Sequence, residues 1–137
     1  MMRKLVLFVA AIAGFVLIAN AQPAASPVKA TPLMTKDLPG IAGKEAIMLT
    51  VELAPGASSP PHRHEASTFV YVLEGSIMMG VKGGKEVTLG PGETFYEKPD
   101  DVHTVGRNAS ATKPAKFLVF MVKAKGAPVS MPAPGGH

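Results

Sequence analysis

The sequence predicts an all-β domain, built as a sandwich or a barrel. Several short segments alternate between apolar and polar residues, which is the period-two pattern of strands with one buried face. Turn residues such as Gly83-Gly84 and Gly90-Pro91-Gly92 separate these segments. After residue 21, no segment has the 3.6-residue apolar period of an amphipathic helix.

The first 21 residues have the pattern of a secretory signal peptide. Arg3 and Lys4 precede an apolar run over residues 5–19, and Ala19-Asn20-Ala21 supplies the small residues of a cleavage site. The run is shorter than the roughly 20 apolar residues of a membrane-spanning helix. We therefore expect cleavage before Gln22, a periplasmic or secreted protein, and no membrane contact afterwards.

The rest of the chain divides into an arm, a barrel and a tail. Residues 22–44 are rich in Pro and Ala, and we expect an arm that is either ordered on the barrel or flexible. The barrel is expected over residues 45–123. Its strands are predicted at residues 45–53, 68–73, 77–81, 86–89, 94–97, 102–105 and 115–122. The tail, residues 124–137, is rich in Pro and Gly and is expected to be flexible.

Composition excludes several classes of function. The 137 residues suffice for one compact domain. The chain has no cysteine, which excludes disulfides, thiol catalysis and zinc-thiolate sites. The net charge of +4 becomes smaller once Arg3 and Lys4 are removed, and no basic cluster is interleaved with aromatic residues. We therefore expect no nucleic-acid partner.

Three of the four histidines have the spacing of a metal site. On an extended segment, the side chains of His62 and His64 share one face, and the intervening Arg63 points to the other. His103 follows about forty residues later, a separation over which a closed barrel brings its strands back together. Imidazole is the commonest transition-metal ligand in proteins. These histidines predict a three-nitrogen site with open positions, unless they are ordinary surface or core residues.

Two segments resemble the conserved motifs of the cupin superfamily, particularly of its small single-domain bacterial members. The first segment contains Gly56, His62, His64, Thr68 and Gly75, and the second contains Gly92, Lys98, Asp100 and His103. The resemblance implies a jelly-roll barrel, or double-stranded β-helix, whose interior binds one divalent metal ion. Lys98 replaces the usual proline of the second motif and Asp100 replaces a turn glycine.

The resemblance matches three of the family's four ligand positions. It places His62, His64 and His103 at the three histidine-ligand positions. Thr68 stands where the family often has a glutamate that completes the coordination. Either Glu65 or Glu97 is a candidate to supply the missing negative charge, and strand parity favours Glu97 as a fourth ligand.

The fold leaves the reaction open. We expect one divalent ion (Fe, Mn, Zn or Ni) and a small-molecule ligand or substrate. The first hypothesis is a dioxygenase-like oxidoreductase; the alternatives are a non-catalytic module that binds a small molecule or metal, and a structural barrel with vestigial histidines. The sequence offers no separate general base, nucleophile or phosphate loop, so no catalytic residue is assigned. The apolar strand at 115–122 is expected to support a homodimer.

Overall fold

The computed structural model describes residues 26–135. The predicted signal peptide, residues 1–21, therefore lies outside the described residues. Within residues 26–135, all the secondary-structure elements are β-strands. No helix in this part of the chain is long and apolar enough to cross a membrane.

Ten strands form two five-stranded sheets in the described part of the chain. The strands are β1 Val28–Asp37, β2 Lys44–Leu53, β3 His62–Arg63, β4 Ala66–Glu74, β5 Ile77–Val81, β6 Val87–Leu89, β7 Thr94–Glu97, β8 Val102–Asn108, β9 Ala115–Ala124 and β10 Met131–Pro132. The first sheet has the order β1-β2-β9-β4-β7 and the second β10-β3-β8-β5-β6. All strand pairs are antiparallel. The all-β, double-stranded β-helix prediction is confirmed.

The core lies between the two sheets. On β9 the burial alternates along the whole strand, with Phe117, Val119 and Met121 turned inward. Ile77 and Met79 of β5 are buried from the opposite sheet. Alternation of this kind places one face of each strand in the core and the other in solvent.

Several turns have left-handed backbone, among them those at Gly75 and Asp100. Gly75, between β4 and β5, has a φ of 73°, and an added Cβ would lie 2.5 Å from the carbonyl oxygen of Pro114. Only glycine fits such a turn without displacing its neighbour. Asp100 has a φ of 67°. It therefore takes the conformation of the turn glycine that it replaces, which aspartate tolerates better than most residues.

The arm and the tail both contain strands that the sequence analysis did not predict. Val28–Asp37 pairs with β2 along its whole length, with an irregularity between Pro32 and Met34. Met131–Pro132 pairs with β3, and Val129 packs against the core. The structure thus differs from the expectation of a flexible tail, since part of residues 124–137 completes the second sheet.

The proposed role of residues 115–122 in subunit pairing needs a correction. This segment belongs to β9, whose backbone is paired with β2 on one side and β4 on the other. Both rows of β9 hydrogen-bonding groups are occupied, so β9 is not an edge. The edge strands of its sheet are β1 and β7.

Candidate metal centre

The two sequence-predicted histidine segments meet at the pairing of β3 with β8. His62 and His103 are direct partners across these strands, and His64 follows the end of β3. One nitrogen from each of the three rings lies within 4.8 Å of the others. Arg63 contacts Asp100 at 2.8 Å and Glu65 at 3.5 Å. The rings therefore converge, while the guanidinium is held by carboxylates outside the cluster.

Backbone carbonyls orient two of the three rings. The Nδ1–H of His62 donates to the Pro60 carbonyl at 2.9 Å, and the Nδ1–H of His64 donates to the Val129 carbonyl at 2.5 Å. A proton on Nδ1 leaves Nε2 with a free lone pair. A second hydrogen bond of this kind is typical of metal-binding histidines, because it fixes the tautomer and the ring orientation.

The nitrogens of His62 and His103 have the spacing of two ligands to a single ion. His62 Nε2 lies 3.4 Å from His103 Nδ1. Two nitrogens bound to one tetrahedral zinc at roughly 2.0–2.1 Å would lie about 3.4 Å apart. The separation of these two nitrogens therefore suits a shared cation.

Burial keeps two of the rings neutral. Both His64 and His103 are buried. Desolvation lowers the pKa of His64, and it lowers the pKa of His103 to about 4 with further contributions from His62 and His64. Neutral imidazole is the form that binds metal, so burial favours the metal-binding form of both rings.

Glu97 brings a carboxylate to the same place. It is 2% exposed, and its Oε2 lies 3.7 Å from both His64 Nε2 and His103 Nδ1. Desolvation, with a smaller contribution from Asp101, raises the pKa of Glu97 to about 7. The other candidate acid, Glu65, is exposed and contacts Arg63 instead. The structure therefore puts Glu97, and not Glu65, beside the histidines.

Three buried polar atoms in this cluster lack a hydrogen-bond partner. They are Thr68 Oγ1, Glu97 Oε2 and His103 Nε2. Thr68 is 1% exposed and is the direct partner of Glu97 across β4 and β7. Buried polar groups are nearly always paired in folded proteins, so the unpaired Glu97 Oε2, beside His64 Nε2 and His103 Nδ1, marks a place for an ion, a water or a ligand. His103 Nε2 is not the nitrogen that faces His62 and Glu97.

A cavity of about 270 Å³ leads to this cluster. Its walls come from β1, β2, β4 and β9 and include Leu49, Val70 and Phe117. Exposed residues among its lining, Ala30, Pro60 and Ser130, mark where it opens to solvent. The candidate centre is therefore a polar site inside an apolar cavity.

Comparison with known families matches the same region. The profile of the cupin-domain family matches residues 49–121. The chain belongs to the cupin family. The match contains all three clustered histidines as well as Thr68 and Glu97.

Individual relatives support the assignment of the cupin domain. Germin-like protein 3-5 from Oryza sativa subsp. japonica is 38% identical over 80 residues, which is 58% of this chain and 33% of that protein. The chain thus spans about a third of the length of the curated relatives it matches.

Two solved structures illustrate the fold similarity. A Klebsiella pneumoniae subsp. pneumoniae protein with a double-stranded β-helix domain superposes with a TM-score of 0.62 at 15% identity, over 80% of this chain and 90% of that one. A recombinant oxalate oxidase in complex with glycolate gives a TM-score of 0.61 at 25% identity, over 80% of this chain and 56% of that one.

Parts of the cupin site escaped the sequence analysis. The Val129 carbonyl lies in the segment expected to be a loose tail, and a backbone acceptor has no sequence signature. Gly106 lies under the His103 ring, where an added Cβ would be 3.0 Å from its Cε1. A glycine inside a strand was the available signal for this close approach. Arg107, which follows Gly106 on β8, is exposed and does not line the cavity.

Proposed function

We propose that this cupin domain binds one divalent transition-metal ion through His62, His64 and His103, with Glu97 as an anionic fourth ligand. The observation that carries the proposal is the convergence of three imidazole nitrogens within 4.8 Å of one another, beside a buried carboxylate. Thr68 adds a hydroxyl at the same point. Nitrogen and carboxylate donors suit Fe, Mn, Zn or Ni.

Activity on a small organic substrate, of the dioxygenase-like oxidoreductase type, is the function we favour for such a centre. A bound ion of this kind supplies Lewis acidity, or redox chemistry in the case of iron or manganese. The chain supplies three neutral imidazoles, one carboxylate and apolar walls that exclude water from a bound ligand. The similarity to the structure of a recombinant oxalate oxidase supports an oxidoreductase but does not select the substrate.

A non-catalytic binding module is the second candidate. The ionisable side chains among the described residues that line the cavity are His62, His64, His103 and Glu97. All four are proposed metal ligands, so this wall has no separate group for proton transfer. A barrel that captures a small molecule or a metal without turnover needs no such group.

Export and self-association complete the proposal. The chain is proposed to act after export, in the periplasm or outside the cell, with a small molecule as its partner. A homodimer is proposed as its assembly, with β1 or β7 as the candidate pairing edges in place of β9. Sedimentation equilibrium measures this directly, and a monomer at micromolar concentration would contradict it.

Elemental analysis of the purified full chain tests the metal site. We expect about one transition-metal ion per chain in the wild type, and loss of that ion in a His62→Ala/His64→Ala double variant. His137→Ala is the matched control, since it removes the histidine at the chain end, outside the described residues. A chain that stays metal-free after loading would favour the structural barrel with vestigial histidines. Oxygen uptake with diketones and phenols then separates an enzyme from a binder.

A further inference from the structure

The walls of the cavity are almost entirely apolar. Strands β2, β4 and β9 contribute Leu49, Val51, Val70, Phe117 and Val119, and the C-terminal segment contributes Val129. A ligand in this space therefore loses its water and receives mainly dispersion contacts in return. Its body must be apolar for that exchange to be favourable.

The polar groups are gathered at one end. Glu97 Oε2 is 3.7 Å from two of the histidine rings, and Thr68 is the direct partner of Glu97. Ser59 and Ser130 are the other polar side chains of the lining. A ligand thus meets its strong polar contacts at the proposed ion and finds few elsewhere.

No lysine or arginine is found among the described residues that line the cavity. The nearby Arg63 is engaged by Asp100 and Glu65. The buried Lys123 is paired with Glu45. Negative charge on a ligand would therefore be compensated by the metal alone.

The charge balance limits the ligand to one negative charge. A divalent ion bound by three neutral imidazoles and one carboxylate retains a single net positive charge. One anionic oxygen neutralises it, but a second anionic group that faces the apolar walls would have no partner there. Burial of an unpaired charge is strongly unfavourable. The cavity volume of about 270 Å³ is also just below the roughly 300–1,000 Å³ of sites for drug-sized ligands.

We infer that the site takes a small, mainly apolar molecule that binds through oxygen and carries at most one negative charge, and that it discriminates against dicarboxylates. This inference rests on the proposed metal site and names the ligand class of that site. The discrimination comes from the walls of this cavity, and it applies whether or not the ligand is turned over.

A matched pair of chelators tests the inference. The probes are 2,4-pentanedione and malonate, which have equal numbers of non-hydrogen atoms and form chelate rings of the same size. The diketone loses one proton to the buffer and binds as an enolate with one negative charge, whereas malonate has two negative charges and no methyl groups. Binding to the zinc-loaded full chain is measured by titration calorimetry, since zinc has no redox chemistry and turnover cannot interfere.

We expect the protein to prefer the diketone after each probe's intrinsic affinity for zinc in solution has been taken into account. Each affinity is divided by that probe's affinity for aqueous zinc in the same buffer. We expect this ratio to be at least about tenfold larger for 2,4-pentanedione, which corresponds to about 1.4 kcal/mol. An equal or larger ratio for malonate, or binding of neither probe, would overturn the inference.

A charge added at the cavity wall gives a second test. Val28 lines the cavity from the edge strand β1 and is half-buried. Val28→Lys should reduce the preference for the diketone several-fold by supplying the missing cation. Thr35→Lys, on the same strand but not in the lining, is the control and should leave the preference unchanged. Equal preferences in both variants and the wild type would contradict the charge argument.

Zinc content distinguishes a failure of the proposed metal site from a failure of the inferred ligand class. A chain that takes up no zinc overturns the proposed metal site and the ligand class together. A chain that holds one zinc but prefers malonate overturns only the ligand class. The zinc content is measured again after each titration, so that removal of the metal by a probe is not mistaken for binding.

Discussion

Thr68 and Glu97 face each other across β4 and β7, and both side chains are buried. A carboxylate on either residue can therefore reach the same region of the cavity. Where the cupin motif often has its glutamate, this chain has Thr68, and a carboxylate stands on the neighbouring strand instead. In the proposed metal site, the anionic ligand therefore comes from the strand next to that of Thr68.

Replacement of Glu97 tests this assignment of the anionic ligand. Glu97→Gln keeps the shape of the side chain and removes its charge. We expect zinc affinity at pH 7.5 to fall on the order of tenfold or more, because an anionic ligand is lost. The affinity is measured by competition with a chromophoric chelator. Glu65→Gln, at the exposed acid beside His64, is the control and should bind zinc like the wild type.

The same variant has the opposite effect on the metal-free protein. Burial raises the pKa of Glu97 from its ordinary 4.5 to about 7. The protonated acid favours the folded state fully below pH 4.5, and this advantage is lost as the pH rises through 7. Relative to the wild type, metal-free Glu97→Gln should therefore gain stability between pH 5 and pH 8, on the order of 2 kcal/mol. Urea unfolding at the two pH values measures the gain, and a pH-independent difference would refute it.

At the scale of elements, the segment after β9 forms part of the site. The Gly126 N–H and the Lys123 ammonium both donate to Glu45, and the Lys123 ammonium also donates to the Ala127 carbonyl. From this anchor the chain runs to Val129, whose carbonyl accepts from His64. A buried ion pair at the end of the barrel thus fixes the backbone that orients one of the rings.

Two truncations test the contribution of this segment. Deletion of residues 129–137 removes the Val129 carbonyl but keeps the anchor at Ala127. Loss of a hydrogen bond that orients a ligand typically costs roughly 10–100-fold in metal affinity. Deletion of residues 133–137 keeps both Val129 and β10, so zinc affinity should be close to that of the full chain. Equal affinities for the two truncated chains would show that the segment does not position His64.

The elements differ in how well the sequence predicts them. The strand expected at 94–97 is β7, and the strand expected at 45–53 differs from β2 by one residue. Both have one face in the core, so their sequences alternate. Strand β1 escaped prediction because it is an edge strand with most of its residues exposed, which imposes little pattern. β10 has only two residues, too few for any period.

The alternation of side chains along a strand was enough to predict part of the candidate site. Parity placed His62 and His64 on one face and Arg63 on the other, and it favoured Glu97. Parity alone did not exclude Glu65 as the fourth ligand. The position of Glu97 opposite Thr68 follows from the pairing of β4 with β7, which the sequence does not show. The Val129 carbonyl was beyond sequence reasoning, since its contact with His64 spans 65 residues and involves no side chain of Val129.

At the scale of the whole molecule, the chain has no disulfide to stabilise it. Its stability comes from the packing of the two sheets, and we expect a bound ion to add to it. Free zinc at a hundredfold excess over its dissociation constant would contribute about 2.7 kcal/mol. Thermal unfolding with and without zinc measures this increment. The His62→Ala/His64→Ala variant should show no increment, and an equal shift in it would place the zinc elsewhere.

The predicted signal peptide determines where in the cell the whole molecule is located, and its cleavage determines the first residue of the mature chain. Cleavage before Gln22 would leave β1 complete, since this strand begins at Val28. Val28 and Ala30 line the cavity, so an intact β1 is needed for its wall. We expect the chain expressed in a secreting bacterial host to be recovered outside the cytoplasm, with Gln22 as its first residue by N-terminal sequencing. Ala21→Asp should block this processing, because the cleavage site requires a small residue. A wild-type product that keeps Met1 or stays in the membrane would contradict the prediction.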